Sequence, residues 1–481
     1  MNTPVHPPAA SLHAPRAIPS AFRNRFLLLS VLSALTTVSA HAASNLAWDP
    51  GHTFGGTTSA PTGSGTAGTW TNGSGADWST STADTTWTNA NGDNAFFNGT
   101  GAIVTLGSDI TVNNINVSVT GYTLAKDASN AFTLTVNGTI TNSQSATITA
   151  KLGGSSGLTK AGNGTLILFG TAANTYTGAT TVQSGILQAR AAGSLTAGTT
   201  VTIGSASLNA TATLDVRASQ TIAGIATAGT GTSTITQLNT TGTTTLTINP
   251  TGAGGGAADS TFSGTITEGG SGKILAFTKA GSNTLTLTGT NSYSGATSIT
   301  GGTLQLGSNL ANTVSVTVSG TGTLSSNVAN VNLGVGSVSM SAGTTLSAGG
   351  TGAAGSFTLA ASQNFSTTTG GTLNFDVGTA FDQIIGSGTG TFSIGSGTTL
   401  ALTLGTGFSY GNTYTLFSSF AGGTVASSGF TISGYDTTNY TASLANTGIL
   451  SFAPTAVPEP STYATILGAV ALGFVAYRRR R

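Results

Sequence analysis

The 481-residue sequence contains no cysteine, which excludes a disulfide framework and any thiolate metal site. It is nearly as poor in charge, with Asp, Glu, Lys and Arg making up 6% of the residues. Seven of the fourteen basic residues lie at the termini: Arg16, Arg23, Arg25 and Arg478 to Arg481. Between Ala43 and Val457, seven basic residues stand against twelve acidic ones, a net charge of −5, and no Lys or Arg occurs after Lys279. Nucleic-acid binding needs concentrated Lys and Arg to neutralise phosphates, so no nucleic-acid partner is expected. Histidine is scarce too. His6, His13 and His41 fall in the first 42 residues, which leaves only His52 for the body. A Ser-His-Asp triad or a multi-His metal centre has almost nothing to build on. Neither a metal nor another cofactor is expected, and no long segment of helical period appears between the termini.

What is present points to strands. Seventy residues are Gly, and much of the remainder is Thr, Ser and Asn, with Leu, Val and Ile alternating between them. Thr and the branched aliphatics favour strands, while Gly, Asn and Ser mark turns. Short strands are expected over Ala102–Leu106, Thr111–Val119, Phe132–Val136, Thr165–Phe169, Thr284–Thr288 and Ser315–Val318. Two segments, Thr159–Gln188 and Thr278–Gln305, share one pattern: Thr-Lys-Ala-Gly, alternating Thr/Leu, a Tyr-x-Gly-Ala-Thr turn and a Gly-x-Leu-Gln strand. A fixed recurring block signals a stacked fold in which each unit buries its face only against its neighbours. The series Leu166, Leu187, Leu214 and Leu285, Leu304, Leu324, Leu346, Leu373, Leu400 recurs at about the length of one coil. The expected fold is all-β, a parallel β-helix with Leu, Val and Ile stacked inside and Thr and Ser outside. An array of β-sandwiches is the alternative architecture.

Residues 1–42 have the pattern of a secretory signal peptide. The three early arginines precede an apolar core, Phe26–Val38, and Ala40-His41-Ala42 supplies the small residues read by a signal peptidase. The alternative is an uncleaved anchor. Residues 43–100 then hold all four tryptophans, Trp48, Trp70, Trp78 and Trp87. Large rings there serve either as an N-terminal cap over the open end of the stack or as an aromatic platform for carbohydrate.

The chain closes on VPEPSTYATILGAVALGFVAYRRRR. Val457-Pro458-Glu459-Pro460 ends any strand, since two prolines remove donors. Tyr463–Tyr477 is an apolar stretch expected to form a transmembrane helix, and Arg478, Arg479, Arg480 and Arg481 read as a cytoplasmic stop. On this reading the tail tethers an outward-facing body to the inner membrane.

Two family resemblances rest on these residues. Leu158-Thr159-Lys160, Gly162, Gly164-Thr165-Leu166, Tyr176, Gly178, Thr180, Val182, Gly185 and Leu187 resemble the autotransporter-associated β-strand repeat. In the second copy Phe277, Asn283 and Ile299 depart from its pattern. This resemblance implies a right-handed β-helical stalk of the passenger type. No run of strands resembling an outer-membrane barrel follows, so the chain is not expected to secrete itself. The tail resembles the PEP-CTERM sorting signal, with Pro458-Glu459-Pro460, an apolar helix and an arginine cluster in order. That resemblance implies an exosortase-type transpeptidase as partner, processing near Val457–Pro460, and release to the surface of a Gram-negative cell, often among extracellular polysaccharide.

The resulting organisation is a signal peptide (1–42), a Trp-rich cap region (43–100), a β-helical region (101–454, strong repeats 158–189 and 277–307) and a sorting tail (457–481, membrane segment 463–477). The expected function is a non-catalytic structural or adhesive surface protein of the extracellular matrix or biofilm. A carbohydrate-binding module using the tryptophans is the alternative, with extracellular polysaccharide as ligand. A polysaccharide-active enzyme is a third reading, whose nearest carboxylate pair, Asp376 and Asp382, lies in a stretch without basic residues. Asn91-Gly92-Asp93-Asn94 reads as a turn rather than a calcium loop, and Ala253–Asp259 lacks the alternation of a calcium repeat.

Overall fold

Strands stacked in parallel, coil upon coil, build the body of the protein in the computed structural model. The structure describes residues 43–479 except 54, 59, 130, 239–240, 251–257, 350–353, 368–369 and 456–459. The proposed signal peptide, including Ala40 and Ala42, therefore lies outside the described residues.

The alternating sequence folds as its period dictates. In the N-terminal half a ten-stranded sheet reaches Gly224–Ala228, and a nine-stranded sheet runs from Gly68–Trp70 to Thr265–Ile266. In the C-terminal half a nine-stranded sheet reaches Gly422–Val425 and an eight-stranded one reaches Thr431–Ser433. The leucine series lands in register: Leu166 pairs with Leu187 and Leu187 with Leu214. Leu285, Leu304, Leu324, Leu346, Leu373 and Leu400 likewise follow one another strand by strand. Every one of these leucines is fully buried. Each contributes about 1.5–3 kcal/mol of hydrophobic stabilisation, the driving force for stacking coils. The architecture is a β-solenoid, as the spacing predicts, rather than an array of sandwiches.

Three details differ from the sequence reading. First, Thr111–Val119 is not one strand but two, Ile110–Val112 and Ile115–Val117. Asn113 and Asn114 turn the corner between them, and the Asn114 amide donates to Asn94 Oδ1 at 2.8 Å. Asn94 in turn donates to Asn45 Oδ1 at 2.8 Å. Asparagine stacks on asparagine down this corner. Second, several threonines point inward: Thr180, Thr199, Thr297, Thr313, Thr367 and Thr398 are buried. Third, both ends of the solenoid are closed by antiparallel strands.

At the N-terminal end the tryptophans are covered. Trp48, Trp70, Trp78 and Trp87 are each at most 2% exposed. Their rings meet one another at centroid distances of 4.8–5.3 Å and reach Phe97, which continues to Tyr122 at 5.2 Å. Trp48 Nε1 donates to the Thr66 carbonyl at 2.7 Å. The short antiparallel pair Trp78–Ser79 and Asp84–Thr85 closes the sheet edge above them. The aromatic platform expected as an alternative is therefore absent here. Indole faces that pack on each other exclude water more effectively than faces left open on a cap.

At the far end Tyr414–Thr415, Ile449–Pro454 and Tyr440–Leu444 form an antiparallel sheet. Tyr410 stacks on Tyr440 at 3.8 Å with planes 5° apart. Beyond it a single helix spans Pro460–Arg478, opening on a proline and ending on an arginine, both favourable positions. This corrects the expected membrane tether, since among the described residues no helix is long and apolar enough to cross a membrane. The apolar stretch of fifteen residues, Tyr463 to Tyr477, reaches only ~22 Å against a ~30 Å hydrocarbon core. Lengthening it brings in Ser461, Thr462 and Arg478.

Candidate functional site

The two strong repeats place their shared residues identically. Alternation carries Leu158 and Lys160 to the inside, and likewise Phe277 and Lys279. Both lysines are fully buried. Lys160 Nζ donates to the carbonyls of Ala161, Gly162 and Ser184 at 3.0, 2.6 and 3.0 Å. Lys279 Nζ donates to those of Ala280, Gly281 and Gly301 at 2.8, 3.3 and 3.2 Å. Burial lowers the Lys160 ammonium to about 7 and that of Lys279 to about 8. An amine sealed among backbone carbonyls has no path to a substrate. It satisfies acceptors where the coil bends and the ladder is interrupted.

The repeat tyrosines and threonines form a second internal device. Tyr176 and Thr180 share a hydrogen bond of 2.8 Å, and Thr180 meets Thr199 at 3.1 Å. Tyr293, Thr297 and Thr313 repeat the chain at 2.8 and 3.0 Å. Burial raises both phenols, Tyr176 to about 12. The sequence reading named Tyr176 and Thr180 as repeat residues but placed threonine outside, so these inward hydrogen bonds escaped it.

The Asp382 carboxylate is similarly occupied, whereas Asp376 Oδ2 is buried without a hydrogen-bond partner among the described residues. Asp382 Oδ1 accepts the Gly355 N–H at 2.7 Å and Oδ2 accepts that of Asp376 at 2.9 Å. Its own N–H returns to the Asp376 carbonyl at 2.9 Å, which closes the turn. Burial pushes the Asp382 carboxyl up to about 7 against the pull of those two N–H groups. With both oxygens taken, it holds a turn. Asp93 Oδ1 accepts the Ser44 N–H at 2.7 Å, and Asp259 Oδ1 accepts that of Thr284 at 2.6 Å. Asn91 ends a 3-10 helix, Gly92 follows at a left-handed φ of 68° and Asn94 opens a strand, while most of Ala253–Asp259 lies outside the described residues. His52 Nδ1 lies 3.1 Å from Asp84 Oδ2 in an exposed pair.

Of the sorting residues, Val457, Pro458 and Glu459 lie outside the described residues, and Pro460 is the first residue of the helix. Arg478 ends the helix and Arg479 follows in a turn, whereas Arg480 and Arg481 lie outside the description.

Two families match segments of the chain. The Passenger-associated-transport-repeat matches residues 158–189 and 277–306, the segments whose lysines and tyrosines superpose in role. The PEP-CTERM protein-sorting motif matches residues 456–481. The chain is similar to passenger repeats in its body and to PEP-CTERM proteins in its tail. The adhesin BmaC autotransporter of Brucella suis biovar 1 (strain 1330) is 39% identical over 190 residues, which is 38% of this chain. The match covers only 5% of that relative's length.

Proposed function

We propose that the protein is exported and displayed at the cell surface as a non-catalytic β-solenoid rod with a structural or adhesive role in the extracellular matrix or biofilm. The observation that carries this reading is the order of its parts: a sorting-motif match at 456–481 directly follows a solenoid bearing passenger repeats. Residues 1–42 direct export, with Ala40 and Ala42 presented to signal peptidase. An exosortase-type enzyme reads Val457, Pro458, Glu459 and Pro460 together with the cationic end, Arg478 to Arg481. The likeness to an adhesin passenger supports adhesion by the solenoid body. The occupied Asp382 carboxylate and the sealed Lys160 and Lys279 support a body without catalysis.

The test is fractionation of the native host after changing Pro458, Glu459 and Pro460 together to Ala. The expected result is retention of the full-length chain with the cells and loss of the surface or released form. Identical fractionation of the changed and unchanged chains overturns the sorting reading.

A further inference from the structure

At the C-terminal end of the solenoid, a cavity of about 260 Å³ opens between the last coils and the terminal antiparallel sheet. Phe392 and Phe417 are buried in its floor, and Phe420 is its partly exposed aromatic ring. Phe392 and Phe417 stack at 4.7 Å with planes 14° apart, and Phe420 meets the Phe392 ring edge-on at 5.6 Å. Two glycines make room for these rings. A Cβ on Gly423 would lie 2.1 Å from Phe392, and one on Gly386 would lie 2.4 Å from Phe420. The rim is polar and uncharged, with Ser418, Ser419, Asn446 and Thr447 among its residues. Asn446 Oδ1 accepts the Val425 N–H at 2.9 Å, which fixes the plane of its amide. Ser419 holds a left-handed φ of 60°, one of three such non-glycine residues among those described. Strain of this kind persists where the surroundings over-determine it, and it clusters at ligand clamps.

We propose that this cavity binds one neutral pyranose ring of a glycan. The partly exposed Phe420 ring receives the apolar C–H face of a sugar, and hydroxyls with a fixed carboxamide meet its hydroxyl groups. Drug-sized ligands need pockets of about 300–1,000 Å³, so this smaller cavity admits a single ring. No Lys or Arg occurs between Lys279 and the tail, which leaves no cation to hold an acidic sugar. The glycan contact thus sits at the end opposite the buried tryptophans. It deepens the adhesive reading above, but its test needs no sorting, so either can fail while the other stands.

The experiment is saturation-transfer NMR on the purified full chain with the methyl pyranosides of glucose, galactose and mannose, and glucuronate as the charged control. Transfer to at least one neutral pyranoside and none to glucuronate is expected. Phe420→Ala should weaken binding about tenfold, the scale of one lost aromatic contact. Should Phe420→Ala fail to fold, Thr447→Trp on the exposed rim fills the mouth and should abolish transfer with the melting temperature unchanged. No transfer to any neutral pyranoside overturns the proposal, as does undiminished transfer in folded Thr447→Trp.

Discussion

Lys160 Nζ reaches across to the carbonyl of Ser184, 3.0 Å away and one coil further along. The same bond recurs between Lys279 and Gly301 at 3.2 Å. A buried cation staples successive coils at a bend in both repeats. Its titration gives the stability a pH dependence. The folded value of about 7 lies below the ordinary 10.5, so the folded chain holds fewer protons between those limits. Stability should therefore rise with pH from about 7 towards 10.5, and Lys279 adds to it in the same direction from about 8. Thermal melts across that range should show the rise, with a shallower slope in Lys160→Met. A melting temperature that falls over the same range contradicts the assignment.

The leucine column makes a second expectation. Leu324 is fully buried between Leu304 and Leu346. Leu324→Ala should cost about 2–5 kcal/mol, while Thr323→Ser on the outward side stays within about 0.5 kcal/mol. Because solenoids can open coil by coil, hydrogen exchange of the neighbouring strands is the appropriate measurement. Protection should drop around Ser315–Met340 first.

Trp78 separates a cap from a binding platform. Its ring lies within 5.3 Å of Trp48, Trp70 and Trp87. Trp78→Ala should cost about 3–5 kcal/mol and lower the melting temperature. Glycan retention measured on folded protein should not change. Loss of retention at unchanged melting temperature would restore the platform.

Tyr293→Phe deletes one hydroxyl from a chain that otherwise remains intact. Thr297 keeps its bond to Thr313, so the expected loss is about 0.5–1.5 kcal/mol, read from chemical denaturation. Asp382→Asn, in contrast, should change no polysaccharide turnover, because its oxygens already hold the N–H groups of Gly355 and Asp376. Any turnover that disappears in this variant argues for an enzyme.

Much of the architecture was legible in the chain. A Leu series at coil spacing has one economical solution, and the register from Leu285 to Leu400 realises it. Lys160 was harder to place because a charged residue is normally assigned to water. Only the three carbonyls at the bend make its burial affordable. Thr180 and Thr297 carry the same lesson, since a hydroxyl faces inward once Tyr176 or Tyr293 supplies its partner. The cavity beside Phe420 was not legible at all. Phe392 comes from one coil and Phe417 and Phe420 from the next, and the rim of the cavity includes a loop that returns from the terminal sheet.

By itself the sequence determined the period, the strand class and the sorting motif at 456–481, because these depend on neighbouring residues and local propensity. Tertiary structure alone decided which polar side chains turn inward, that the tryptophans close an end rather than face solvent, and where an aromatic cavity remains open. Those outcomes depend on which groups meet across coils some twenty residues apart. A buried polar or aromatic group is stable only if that distant partner arrives.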